Sequence, residues 1–184
     1  MPEFSAENLF SMPVNVKRLS KKGSNLTYDA PDDVRSAIAS AYGLLAVESF
    51  HADAIVAPWR KNGVKVMGEV RAKLIQPCAI TFDPLDAEIL EQIDALYVPE
   101  GSKLAQPKLD GEGEIIVDPD GPDLPETFLG DMLDLAEIWL EFFALGLDPF
   151  AHKPGAALPE SASTADDPSQ DTSPFAALAA LKKH

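Results

Sequence analysis

The sequence predicts an α+β fold, a mostly antiparallel β-sheet with one long packed α-helix, over residues 8–150. Two observations lead to it. Two runs of alternating apolar and polar residues, 46–58 and 64–75, flank an Asn62-Gly63 pair, a strong short-range hairpin signal because a tight turn there calls for positive φ at both central residues. Downstream, residues 128–145 carry a broad apolar stripe at helical spacing, wide enough to cover one face of a sheet.

Element by element, Val14 and Val16 alternate behind Pro13, which predicts a short edge strand within residues 8–19. Lys21-Lys22-Gly23-Ser24 predicts a turn. Residues 25–29 receive no element. A helix opens at Ala30-Pro31-Asp32-Asp33, where the proline suits the first turn and the carboxylates complement the helix dipole; Val34, Ile38 and Ala41 form its apolar stripe, and Gly43 ends it. In the hairpin, Phe50, Ala52, Ala54 and Val56 share a face, as do Val64, Val66, Gly68, Val70, Ala72 and Leu74. Residues 78–83 read as a further strand broken at Pro84. Residues 87–98 fit either period, and Ala95-Leu96-Tyr97-Val98 tips them to strand. Residues 99–126 form an acidic loop with a brief pairing segment at 115–117.

The long helix is expected over 128–145 with Thr127 as N-cap, about 27 Å in length. Trp139 lies on its apolar stripe and is expected to be buried. Gly146 and Pro149 end it. Residues 151–173 are rich in Pro, Ser, Ala, Asp and Thr, the composition of a disordered linker. Residues 174–184 form a short amphipathic helical motif, with Pro174 leading Phe175, Leu178 and Leu181 at spacings of three.

Charge is unevenly distributed. Of the net −15, residues 1–73 carry ten cations against eight carboxylates, and residues 74–148 carry two against eighteen. The acidic middle is either a solvated surface or a face for a basic protein. The cations of the front third suggest a binding footprint: Lys17, Arg18, Lys21, Lys22, Arg60, Lys61, Lys65, Arg71 and Lys73. Three of these, Lys65, Arg71 and Lys73, share one strand face beside the Arg60-Lys61 turn; the alternative is an ordinary polar sheet face.

Groups for catalysis are sparse. The histidines are His51, His152 and His184, and the cysteine is Cys78. Cys78 and His51 would make a nucleophile and base if adjacent, but nothing local activates the thiol, and Cys78 reads as a small hydrophobe at a strand start. The row Asp131, Asp134, Glu137 and Glu141 reads as a solvated helix face, with an acid/base pair as the weaker alternative. Phosphate-cradling glycine loops, nucleophile elbows and zinc-protease motifs are missing. One thiol forms no internal disulfide, the N-terminus lacks a signal-like apolar segment, and no run spans a bilayer. The expected class is a non-enzymatic cytoplasmic protein without cofactor or metal.

Three stretches, in this order, resemble the YceD family, the large ribosomal RNA subunit accumulation proteins, in a form similar to its alphaproteobacterial branch. They are Val64-Lys65-Val66-Met67-Gly68-Glu69-Val70-Arg71-Ala72-Lys73-Leu74-Ile75-Gln76-Pro77-Cys78, the segment from Leu129-Gly130-Asp131 to Leu147-Asp148-Pro149-Phe150, and Pro174-Phe175-Ala176-Ala177-Leu178-Ala179-Ala180-Leu181-Lys182. Many relatives carry a C-x-x-C pair on the first stretch; here its first position is Ile75, so no zinc role carries over. The resemblance implies a part in large-subunit (23S) ribosomal RNA accumulation and ribosome biogenesis. Its partner would be a ribosome-biogenesis protein or the large-subunit rRNA precursor, with neither DNA nor membrane involved. It implies no catalytic residues. An assembly adaptor is the first expectation, direct RNA binding through the hairpin cations the second, and a hydrolase using acidic residues the third.

Overall fold

The computed structural model describes residues 9–60, 62–106 and 124–157. In chain order the elements are β1 (Pro13–Asn15), β2 (Ser24–Asp29), α1 (Asp32–Ala41), β3 (Ala46–Trp59), β4 (Gly63–Pro77), β5 (Pro84–Pro99), β6 (Glu126–Phe128), β7 (Met132–Asp134) and α2 (Leu135–Leu145). A five-stranded sheet runs β2-β3-β4-β5-β6, and β1 pairs with β7 in a separate ribbon. All pairs are antiparallel except β5–β6, which is parallel. This is the α+β architecture the alternating runs predict.

The hairpin forms with Trp59 opposite Gly63, so its loop is residues 60–62. Positive φ falls on Arg60 and Asn62, while Gly63 is already in β4. Glycine is required at 63 for a different reason from the one expected: a Cβ there would lie 2.9 Å from the Trp59 carbonyl oxygen and 3.0 Å from that of Tyr97.

One sheet face builds the core. Phe50, Ala52, Ala54 and Val56 of β3, Val64, Val66, Val70, Ala72 and Leu74 of β4, and Ile89, Ile93 and Tyr97 of β5 are buried on it. Against it packs α2, burying Leu135, Ile138, Trp139, Leu140 and Phe143. Trp139 is fully enclosed, its ring stacked on Tyr28 at 6.0 Å, and Phe10 stacks on the same tyrosine at 4.6 Å. Burying this many large side chains, each contributing about 1.5–3 kcal/mol, is what holds helix to sheet. α1 lies over β3 with Ile38 and Ala39 inward, and Gly43, at φ 66°, turns the chain after it.

The structure corrects several sequence expectations. Residues 78–83 are not a strand but the loop joining β4 to β5: Cys78 N–H donates to the Asp83 carbonyl at 2.8 Å, Phe82 N–H to the Cys78 carbonyl at 2.9 Å, and Phe82 is 76% exposed at φ 60°. Ser24, expected in the turn, and residues 25–29, for which no element is expected, form the edge strand β2. Its alternation of Leu26 and Tyr28 with Asn25 and Thr27 is present in the sequence but short.

The helix does not begin at 128, and Thr127 is not its cap. Residues 126–128 pair in parallel with the end of β5, Gly130 turns at φ 67°, and 132–134 pair with β1. Asp134 is the N-cap, accepting the Ala136 N–H at 2.9 Å. The helix is therefore eleven residues, about 16 Å, rather than 27 Å. Backbone pairing of 126–134 with distant strands outweighs local helix propensity. A local sign of the true start was present: Asp134 followed three positions later by Glu137, before an apolar run.

Residues 151–157 lie beside the 78–83 loop, with Ala79 N–H donating to the Ala151 carbonyl at 2.8 Å and Lys153 Nζ 3.0 Å from Asp83. The rest of the expected linker, residues 158–173, lies outside the described residues, as do the terminal motif at 174–184, the 115–117 segment and Lys61.

Candidate interaction surface

Because side chains alternate along a strand, the core face dictates what stands on the opposite one. β2 contributes Asn25, Thr27 and Asp29; β3 contributes His51, Asp53 and Ile55; β4 contributes Lys65, Met67, Glu69, Arg71 and Lys73; β5 contributes Glu88, Leu90, Gln92 and Asp94. Lys65, Arg71 and Lys73 share this face, as expected from the alternation, but each meets a carboxylate. Lys65 pairs with Asp94 at 2.8 Å and Lys73 with Glu88 at 3.0 Å. Arg71 pairs with Glu69 and stands 3.9 Å from Asp53. The hydrogen bond that Lys73 donates to Glu88 is the main cause of a raised Lys73 pKa. His51 Nδ1 lies 2.7 Å from Asp29, and the Gln92 amide donates to Glu69 at 2.7 Å.

Such exposed pairs contribute little to stability because solvent screens them, but they neutralise the face. It is a laced polar surface with Ile55, Met67 and Leu90 exposed among the charges. No cationic stripe remains on it.

The other predicted cations of the described residues gather near one end of the sheet. Ser24 stands opposite Val56 and Trp59 opposite Gly63, so the 20–23 turn and the β3–β4 loop are neighbours. Arg18, Lys21 and Lys22 are exposed there and make no ion pair among the described residues. The Arg60 guanidinium lies 4.6 Å above the Trp59 ring, a cation–π contact that leaves its edge for other partners. Lys17 is neutralised by Asp131 at 2.7 Å. Composition signalled these cations; only the pairing separated the neutralised ones from the others.

The carboxylate row divides. Asp131 and Asp134 precede α2, where Asp131 pairs with Lys17 and Asp134 caps the helix. Glu141, on α2, instead lies near Glu126 of β6 and the Tyr97 hydroxyl, which is buried without a hydrogen-bond partner among the described residues. Burial, then Glu126 and Glu141, pushes the Tyr97 pKa up; burial, then Glu141, raises that of Glu126. Sequence reading missed this grouping, because parallel pairing of β6 with β5 brings Glu126 beside Tyr97 across 29 positions.

Cys78 is enclosed and follows the last residue of β4, Pro77, at the start of a loop rather than of a strand. The Thr81 hydroxyl and then its backbone N–H, 3.5 Å from Sγ, are the leading causes that lower the thiol pKa to about 6. His51 cannot serve it as a base. His51 faces Arg71, seven positions before Cys78 on β4, a separation of about 23 Å.

A shallow groove between α1 and the start of β3, lined by Asp32, Arg35, Ser36, Ser40, Leu44 and Val47, holds the Asp32 carboxylate in an ion pair with Arg35 at 2.6 Å. Among the described residues no group of three His, Cys, Asp or Glu is arranged to hold a metal, and no helix is long and apolar enough to cross a membrane. No family model, curated protein or solved structure matches the chain.

Proposed function

We propose that this chain is a non-enzymatic, cytoplasmic YceD-type factor that supports large-subunit ribosomal RNA accumulation as a protein-binding adaptor. The family part of the reading rests on the three ordered stretches of sequence. The first is β4 with Cys78 just after it, and the second includes α2, which packs on β4 and β5; these two stretches are thus neighbours in one core.

The adaptor part rests on one observation: Lys65, Arg71 and Lys73 are each paired with carboxylates. Phosphates would have to displace those partners, whereas a mixed-charge surface with exposed Ile55, Met67 and Leu90 suits a protein. Direct RNA contact is the second reading, favoured by Arg18, Lys21, Lys22 and Arg60 at one sheet end.

Tagged full-length protein captured from its own cells, with and without nuclease, tests both. Partners retained after nuclease support the adaptor; partners lost support RNA contact, and that binding should weaken steeply with salt through counterion release. Removal of the gene should lower 23S relative to 16S rRNA, and unchanged ratios would overturn the ribosomal reading.

A further inference from the structure

The free edge of β2 carries a pattern that fits itself. Ala30 N–H donates to the Phe50 carbonyl at 3.0 Å, continuing the register in which Asp29 faces His51. Bonding direction alternates along an antiparallel strand. Ser24, Leu26 and Tyr28 therefore turn their N–H and C=O groups toward β3, and Asn25, Thr27 and Asp29 turn theirs outward. All three are exposed, β2 is the terminal strand of the sheet, and no described residue bonds to that edge. The strand has no proline, no lysine and no bulge in its register, the usual protections of an open edge.

We propose that this edge pairs antiparallel with β2 of a second copy about a twofold axis at Thr27. Thr27 then faces its counterpart and Asn25 faces Asp29 twice, so that all three outward residues meet outward residues and about six backbone hydrogen bonds form. On the solvent face the Asn25 amide donates to the Asp29 carboxylate; on the core side Leu26 meets Tyr28. The choice of a second copy over an unrelated extended segment rests on charge. Lys21 and Lys22 precede β2, and Asp32 and Asp33 follow it. Antiparallel pairing in this register brings the lysines of each copy to the aspartates of the other, Lys21 toward Asp33 and Lys22 toward Asp32. Lys21, Lys22 and Asp33 make no ion pair among the described residues. The interface is small, so dimerisation is micromolar and concentration-dependent. The proposal is independent of the ribosomal role.

Sedimentation velocity on the full chain over roughly 1–300 µM tests it. The expected result is a shift from the 19.8 kDa monomer toward twice that mass. Thr27→Pro removes an outward N–H and should abolish the shift with unchanged circular dichroism. Lys21→Glu and Asp33→Lys should each weaken dimerisation about tenfold, since like charges then meet at both ends. Their equimolar mixture should restore it, because opposite charges meet again, and this arm decides the matter if the proline variant does not fold. A wild type that stays monomeric throughout overturns the proposal and leaves the edge to an extended segment of another protein. A doubled mass unaffected by the charge variants overturns it in favour of a different interface.

Discussion

Asp134 Oδ1 accepts the backbone N–H of Met12 at 2.7 Å, across 122 residues of chain. The same oxygen caps α2 through the Ala136 N–H at 2.9 Å, and Oδ2 accepts the Ser11 hydroxyl at 2.5 Å. One carboxylate thus fixes the start of the helix and anchors the N-terminal segment that carries Phe10 onto Tyr28. Asp134→Ala should lower stability by about 1–3 kcal/mol, combining a lost cap with lost charge-assisted bonds. Asp134→Asn, which keeps an acceptor oxygen, should lose less. Urea denaturation of the three proteins measures the order.

Among the described residues Trp139 is the largest fully enclosed side chain, and its indole N–H finds no hydrogen-bond partner there. Trp139→Ala should cost about 3–5 kcal/mol. Trp139→Phe should cost clearly less, since it keeps an aromatic ring against Tyr28 and removes an unpaired buried donor. Equal losses in thermal denaturation would show that a benzyl ring in this site recovers none of the indole's packing.

Gly68 sits mid-β4 opposite Ala54 and Ile93, and a Cβ there would collide with the Asp53 carbonyl oxygen and the Ala54 Cα. Because the obstruction is backbone, it cannot rotate aside. Gly68→Ala should destabilise by about 1–3 kcal/mol or more, despite alanine's ordinary advantage over glycine in a strand. A denaturation midpoint equal to wild type would mean that the β3–β4 pair has room to shift.

The Cys78 thiol titrates at about 6 in the folded chain, below the unfolded value of about 8.5. A folded pKa below the unfolded one contributes stability that is complete above about pH 8.5, declines between there and 6, and is gone below. Cys78→Ala removes that dependence. The stability difference between wild type and this variant should therefore shrink as pH falls from about 9 to about 5.5. A difference independent of pH would show that the Thr81 contacts do not favour the thiolate.

Local sequence patterns determined much of this protein. The alternation over 46–58 and 64–75 specified β3 and β4, the faces of their side chains and the hairpin between them, because a two-residue period leaves only one face to bury. Pro31, Asp32 and Asp33 specified the start of α1, and the apolar stripe around Trp139 specified a helix buried against the sheet. Charge composition marked the cations, and Lys65, Arg71 and Lys73 were legible as one face.

Only the tertiary structure decided how Lys65 and Lys73 are neutralised, because Asp94 and Glu88 reach them by strand register rather than by nearness in sequence; Glu69, two positions from Arg71, meets it along the same strand face. It also decided where α2 begins: residues 126–128 and 132–134 have helical apolar spacing, yet hydrogen-bond to β5 and β1, and pairing energy from distant strands exceeds the fraction of a kcal/mol per residue that local propensity supplies. For the same reason Glu126 and Glu141 come together beside Tyr97, and Cys78 and His51, paired on paper, stand about 23 Å apart on one hairpin.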